Sequence, residues 1–432
     1  MFAQLARYRL VQGRAARSST AVLAHIGSLR GLSTVVARPE AQCADTLTQI
    51  GIRKVFEYEH DQYRELCRNF YDEHVVPFHD EWEKDQMVPR ELWKKAAEHG
   101  LLCTSVPEEY GGMGLDFLYS AVNLEEQAYS NCTGPGWFLH NDIVAPYIVH
   151  YGSEEQKQKY LPAMCAGDCI SAIAMTEPGA GSDLAGMRTT AIKDEATGDY
   201  ILNGSKTYIT NGFMSDLVIV AAKTHPDAGA KGVSLFLVDA GLEGFSKGNP
   251  LNKTGMKAQD TSELFFEDVR LPASALLGEE NHGFVYLMTE LPQERLVVAE
   301  MALASAEACF EWTRTFLKER NAFGAPLTNK QTIQHRLATM KTEITVGRTF
   351  ADNCLQLLRD KQLDNATASM AKYWLTDLQS KVADECVQLH GGAGYMWEYP
   401  VAKAWADGRV SRIYGGSNEI MKELIARDIV RK

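Results

Sequence analysis

The chain is 432 residues long, more than one ordinary core can use. A hydrophobic fraction of 45% with 23% charged residues excludes a disordered or fibrous polymer. No apolar run approaches the roughly 20 residues of a membrane helix, and a formal net charge of −12 speaks against nucleic acid or anionic lipid as a partner.

The first segment is unlike the rest. Residues 1–38 carry Arg7, Arg9, Arg14, Arg17, Arg30 and Arg38, several serines and no acid; Glu40 is the first carboxylate. This composition reads as a mitochondrial transit segment, with a basic arm as the alternative. Loss of its six arginines takes the net charge to −18. Nine scattered cysteines, of which only Cys165 and Cys169 stand close, suggest reduced thiols rather than a disulfide framework or a zinc site. No metal site is expected.

From about 48 to 169 the pattern is helical. "ELWKKAAEHGLL" stops at Gly100, and "SEEQKQKYLPAM" opens on Ser153, a side chain suited to an N-cap. The loop "TGPGW" lies between them; Gly134 and Gly136 either leave room at the floor of a pocket or shape a turn. From 170 to 280 the period becomes that of short strands: "DYILNGSKTYITN", "DLVIVAAK", "GVSLFLVD" and "SELFFEDVRL" predict an antiparallel β domain. From 281 to 432 helical spacing returns. Three stripes run Leu296–Ala299–Leu303–Ala306–Phe310–Thr313–Leu317, Leu337–Met340–Ile344–Gly347–Ala351–Cys354–Leu358 and Met370–Trp374–Leu378–Val382–Cys386, as in a helical bundle. The fold class is therefore α+β: helices, a β domain, then helices.

Nucleotide-binding signatures, a serine elbow and a HExxH pair are all missing from the sequence. Instead "AMTEPGAGSDLAG" forms a glycine-rich turn flanked by the Thr176 and Ser182 hydroxyls, followed by "GSKTYITNG", "KERNAFG", "QLHGGAGY" and "RIYGGSNEI". In this order and at these separations the five stretches resemble the acyl-CoA dehydrogenase family over the whole chain after residue 38.

The resemblance implies a β domain between an N-terminal helical domain and a C-terminal four-helix bundle, with FAD bound between the β domain and the bundle. Ile173, Ala174, Met175, Thr176, Gly181 and Ser182 would then meet the isoalloxazine ring, with Tyr208, Ile209 and Thr210 on its other side. Ser417, Asn418 and Glu419 join the cofactor site on the same ground. In the family the adenosine half reaches a neighbouring subunit, so Arg320, Phe323, Gln331 and Gln388, Leu389, His390, Gly391 and Gly392 would serve a second copy's cofactor. Arg320 supplies a fixed cation for pyrophosphate.

Many relatives have a glutamate, the catalytic base, at the position of Gly415. A base is still required, since a thioester α-proton does not leave unaided. In the isovaleryl and long-chain branches it sits in an "ERL" segment, here "LPQERLV", which points to Glu294. Without the resemblance Glu294 reads as a solvated carboxylate in the first turn after Pro292. Pro292, Gln293, Arg295 and Ser182 would border the substrate, and Gly415 and Gly416 would offer N–H groups to its carbonyl. The implied activity is α,β-dehydrogenation of a long-chain acyl-CoA in the mitochondrial matrix by a homotetramer that passes electrons to electron-transfer flavoprotein. A branched-chain substrate, or a scaffold role in respiratory-complex assembly, is the alternative.

Overall fold

A computed structural model describes residues 53–431; the transit segment read at 1–38 lies outside the described residues. The first layer is helical: α1 (Tyr58–His74), α2 (His79–Asp85), α3 (Arg90–Glu98) and α4 (Phe117–Tyr129). A run beginning at Trp137 passes through a π-helical segment (His140–Val144) into α5 (Ala145–Tyr151), and α6 spans Glu154–Cys165. Ser153 caps α6 as its sequence suggests, its hydroxyl accepting from the Gln156 N–H. Helix α4 is buried on most of its circumference. Two of its buried residues are acids, and each is paired: Glu125 with Arg53, Arg64 and Arg348, Glu126 with Arg64 and Arg68.

The β domain holds β1 (Ser171–Ala174), β2 (Thr190–Lys193), β3 (Tyr200–Thr210), β4 (Leu217–Lys223), β5 (Val233–Asp239), β6 (Phe245–Lys247), β7 (Thr261–Leu271) and β8 (Leu276–Leu277). Their order is β6-β7-β3-β2-β4-β5-β8, with β1 also on β4. The expectation of an antiparallel sheet needs one correction. β1 and β2 both run parallel to β4, β1 pairing Ser171–Ala174 with Leu217–Val220 and β2 meeting β4 at Thr190–Lys223. Since β5 occupies the other edge of β4, β1 and β2 lie end to end along one edge. Residues 175–189 are thus an excursion out of a single strand line.

The C-terminal region comprises α7 (Gly283–Glu319), a β9–β10 hairpin (Asn321–Ala322, Ala325–Pro326), α8 (Gln331–Arg359), α9 (Asn365–His390), α10 (Pro400–Gly408) and α11 (Asn418–Arg431). α7 packs against α8 and α9, and α9 against α11, closing a four-helix bundle. Every residue of the α7 stripe from Leu296 to Leu317 is buried. The α9 stripe is only half correct. Leu378, Val382 and Cys386 are buried, whereas Met370 and Trp374 are exposed and Ala368, Ala371 and Leu375 take the inward face. The eight described cysteines are free thiols, seven of them buried.

Candidate active site

Glu294 is not in a first turn. α7 begins at Gly283, so Pro292 lies inside it and removes the N–H that would otherwise bond the Met288 carbonyl. The helix continues because neighbours hold it: the Gln293 side chain donates to the Asp142 carbonyl in the π-helical segment at 2.8 Å. Glu294 therefore projects into the interior at 4% exposure rather than into solvent. Its Oε1 accepts from the Tyr147 hydroxyl at 2.8 Å. Burial pushes its carboxyl up to about 7, with the Glu290 charge adding to the rise and the Tyr147 hydrogen bond and Arg295 opposing it. A carboxyl poised there at neutral pH is a base that can both take and release a proton.

Arg295 is also buried; its guanidinium donates to Asn365 and, at 3.2 Å, to Ser369, and burial lowers it to about 10. It faces away from the solvent, and among the described residues it has no carboxylate in its hydrogen bonds. The stretch Tyr414–Ser417 arrives from the other side. Gly415 and Gly416 take φ of +62° and +88°, a pair of left-handed residues that glycine adopts without penalty. A Cβ on Gly415 would stand 3.5 Å from Val298 Cγ2, one turn beyond Glu294 on α7. Gly415 therefore packs against the stretch of α7 one turn beyond Glu294. A Cβ on Gly416 would collide with Met421 Cε at 2.5 Å.

A residue absent from the sequence-based set fixes this strip. Lys372 of α9, fully buried, donates to the Gly416 carbonyl at 2.6 Å and to Asn418 Oδ1 at 3.0 Å. Asn418 in turn donates to the Tyr373 carbonyl, Thr376 Oγ1 and Asp377 Oδ1. Its side chain is spent on holding α11 to α9, which leaves only backbone for a ligand. Ser417 is half-buried and Glu419 exposed beside it.

The excursion between β1 and β2 carries the next group. Ile173 and Ala174 are buried in β1, while Met175 and Thr176 are half-buried at its end. Glu177 and Ala180 bond each other's backbone in both directions, so Pro178–Gly179 is a tight turn. Gly179 and Gly181 face open space, and Ser182 is exposed. The loop is anchored from within. Buried Lys206 donates to Glu177 at 2.8 Å and to the Met175 carbonyl at 3.1 Å, and Glu177 accepts the Arg188 and Thr189 N–H groups. Alternation along β3 puts Lys206 on the same side as buried Tyr200 and Leu202, the one signal that could have marked it. The Thr207 N–H donates to the Thr176 carbonyl at 2.9 Å, which sets Tyr208 next to the loop. A register shift in β3 gives Tyr208 a φ of +59° and leaves it 71% exposed, between buried Thr207 and Ile209; Thr210 is half-buried. Bulky aromatics rarely take that conformation.

The remaining positions gather at the far end of the bundle. Arg320 is exposed at the C-terminus of α7 and makes no ion pair among the described residues. Phe323, in the β9–β10 turn, combines φ +55° with 93% exposure. Gln331 begins α8 on an exposed turn. The end of α9 lies beside them, since buried His390 stacks on Phe316 of α7 at 4.2 Å between centroids. Gln388 is exposed and Leu389 buried; among the described residues nothing lies within 4 Å of a Cβ added to Gly391 or Gly392. Along α7 this end is about 39 Å from Glu294, at 1.5 Å per residue. One chain does not bring the two sets together.

A pocket runs along α7 from Val298, one turn beyond Glu294. Val298, Met301, Ala302 and Ser305 line it from α7, and Gln127, Ala128 and Asn131 from α4 and its end, with Tyr414 at the glycine strip. Gly134 and Gly136 do not form its floor. A Cβ on Gly136 would lie 2.0 Å from Asn211 Oδ1, and one on Gly134 2.8 Å from Ala258 Cβ; both glycines are required by close packing.

The chain matches models of the acyl-CoA dehydrogenase N-terminal domain over residues 57–168, the middle domain over 172–269 and the C-terminal domain over 281–430. It is 61% identical over 396 residues to the mitochondrial long-chain specific acyl-CoA dehydrogenase of Rattus norvegicus, covering 91% of this chain and 92% of that one. Among solved structures it resembles an acyl-CoA dehydrogenase from Geobacillus kaustophilus, with TM-score 0.85 and 49% identity over 87% of this chain and 99% of the other. It also resembles a glutaryl-CoA dehydrogenase from Mycobacterium smegmatis in complex with FADH2, with TM-score 0.83 and 29% identity over 89% and 98%.

Proposed function

The chain belongs to the acyl-CoA dehydrogenase family, and from that membership we propose how its residues divide the α,β-dehydrogenation of long-chain acyl-CoA to the trans-2-enoyl thioester. The observation that carries the reading is Glu294: a buried carboxyl held near 7, one helical turn from the Val298 that packs on Gly415, where many relatives place their base. The buried carboxylate takes the α-proton. Gly415 and Gly416 N–H groups meet the thioester carbonyl and stabilise the negative charge that grows there. Lys372 keeps that strip in place through the Gly416 carbonyl. The acyl chain lies along α7 past Val298, Met301 and Ala302, the apolar side of a pocket that Gln127, Asn131 and Gln379 also line.

The family uses FAD, which when bound accepts the β-hydrogen as a hydride. The residues present suit it. Gly179, Gly181, Gly391 and Gly392 leave room for close approach. Arg320 is an exposed guanidinium without a partner among the described residues, and Tyr208 and Phe323 are strained aromatics held outward. When FAD is bound, Thr176 and Tyr208 would hold its ring, while Arg320, Gln331 and Gln388–Gly392 would serve a neighbouring copy. The 39 Å or so between Glu294 and Arg320 supports an oligomer, and a homotetramer is the assembly we infer. Exposed Trp374, Tyr395 and Trp405 give its interfaces apolar surface.

The compartment is mitochondrial, as in the rat relative; the matrix is the site we infer, with electron-transfer flavoprotein as acceptor. The test is a steady-state scan of acyl-CoA lengths with that acceptor. An optimum at long straight chains, on a yellow protein that bleaches with substrate, is expected. An optimum on short or branched substrates would overturn the chain-length reading.

A further inference from the structure

Four residues before Glu294, on the same face of α7, stands a second buried carboxylate, Glu290, at 7% exposure. α5 presents a matching row to this pair. Tyr147 donates to Glu294 Oε1 at 2.8 Å; Tyr151 donates to Glu290 Oε1 at 2.7 Å, and His150 Nδ1 lies 2.9 Å from the same oxygen. The two tyrosine rings are 6.1 Å apart, and Tyr151 stacks on Tyr286 at 4.0 Å, closing the far side. Burial changes steeply along the row. Glu294 is enclosed, whereas the His150 side chain is 53% exposed. Ionisable groups thus lead from the base to solvent within little more than one helical turn.

The chemistry gives that row a task. If Glu294 is the base, each turnover leaves a proton on it, and the hydride and electrons depart by another route. The base must be emptied before the next substrate, while an apolar chain fills the pocket and keeps water out. We propose that Glu290 and His150 form the exit for this proton, an inference that rests on the assignment of Glu294 as base. The Glu294 O–H bond breaks, the Glu290 carboxylate accepts the proton, and the His150 imidazole takes it and gives it to bulk water. No electron moves, and both residues end the cycle as they began it. They are carriers and touch no substrate atom.

If the tyrosine–glutamate pairs served only to fasten α5 to α7, variants would lose stability without a kinetic signature of proton release. The holoenzyme can separate the two. Flavin bleaching by saturating long-chain acyl-CoA reports the first proton abstraction, which needs only an empty base. Steady-state turnover with ferrocenium as acceptor requires the base to be emptied each time. Measurements above pH 8 keep Glu294 ionised at the outset, so loss of the Glu290 charge does not disturb the starting state. Glu290→Gln, which keeps volume and the bond from Tyr151, should lower steady-state turnover about fivefold or more relative to bleaching and enlarge its solvent deuterium isotope effect. His150→Ala, at an exposed position that folding tolerates, should show the same pattern, and added imidazole should restore turnover. Equal slowing of both rates by Glu290→Gln, or no change in their ratio, would overturn the exit; so would a His150→Ala enzyme that turns over like the wild type. A wild-type flavoprotein that no acyl-CoA bleaches would instead refute the dehydrogenase reading beneath it.

Discussion

The Tyr147 hydroxyl reaches Glu294 across the contact between α5 and α7, 2.8 Å from a carboxylate oxygen 147 residues away in the chain. Burial raises that carboxyl and this hydrogen bond lowers it, so the position near 7 is a balance between the two. Tyr147→Phe removes one side of the balance. With Glu294 as the proposed base, its ionised form is the active one, so activity should be present above the Glu294 pKa and lost as pH falls through it. Without the donor the acidic limb of the rate profile should move to higher pH. The rate at pH 7 should fall roughly threefold to tenfold, and that at pH 9 much less. A limb that stays in place would separate Tyr147 from the base. Glu294→Gln should abolish dehydrogenation at every pH while the protein keeps its flavin colour.

The same raised carboxyl bears on stability. Glu294 titrates near 4.5 when unfolded and near 7 when folded. Ionisation therefore favours the unfolded chain. The penalty is absent below about 4.5, grows as pH rises and is complete above about 7, where it reaches about 3 kcal/mol. Glu294→Gln should melt a few degrees higher than the wild type at pH 8, and the difference should shrink toward pH 4.5. Parallel melting curves at the two pH values, at fixed scan rate and protein concentration, check the sign.

How far the sequence leads depends on the distance over which each feature is decided. The α7 stripe from Leu296 to Leu317 is local periodicity, and all of it is buried. Met370 and Trp374 follow the same spacing on α9 yet face outward, because periodicity marks an apolar face without saying whether this chain or another covers it. Pro292 reads as a helix start, but tertiary bonds such as Gln293 to the Asp142 carbonyl carry α7 through it, and that decides whether Glu294 is solvated or buried. Lys206, Lys372 and Tyr147 act through partners 29 to 147 residues away. No short window contains those pairings. Glu294 itself emerged only because Gly415 lacked the expected carboxylate.

Arg320→Ala tests the shared cofactor site. The guanidinium is exposed and has no ion-pair partner among the described residues, so its loss should disturb neither folding nor the α7 helix. If it holds pyrophosphate for a neighbouring copy, flavin content after gel filtration and the tetramer population should fall together. Full flavin content in an intact tetramer would remove Arg320 from the site.

Gly136 and Ala302 make opposite predictions about pocket length. A Cβ at 136 meets Asn211 Oδ1 at 2.0 Å, and Asn211 donates to the Gly136 and Ser171 carbonyls. Gly136→Val should cost about 1–3 kcal/mol or more by overpacking, with no change in preferred acyl length. Ala302 lines the pocket two turns beyond Glu294. Ala302→Leu should shorten the preferred chain and spare short substrates, since each methylene refused burial forfeits about 0.8 kcal/mol. A chain-length profile that responds to Gly136 and ignores Ala302 would place the pocket elsewhere.

If Glu294 is the base, its position should be movable. A Cβ on Gly415 would sit 3.5 Å from Val298 Cγ2, ordinary contact, and Val298 is the next residue on the Glu294 face of α7. We therefore expect a glutamate at 415 and one at 294 to address the same space from two directions. Glu294→Gly alone should be inactive. Adding Gly415→Glu should restore part of the rate, and only part. The residue would hold φ near +62°, which costs a non-glycine residue roughly 1 kcal/mol or more, and small errors of position are expensive in proton transfer. Long chains should recover least, because the new side chain stands beside Val298 at the head of the acyl pocket. The single variant Gly415→Glu is the control: two carboxylates in one apolar space repel, one of them should be pushed upward, and the activity optimum should move to higher pH. A double variant that is fully loaded with flavin yet no faster than Glu294→Gly would show that the two positions do not converge on one α-carbon, and Gly415 would then be glycine for the sake of its φ alone.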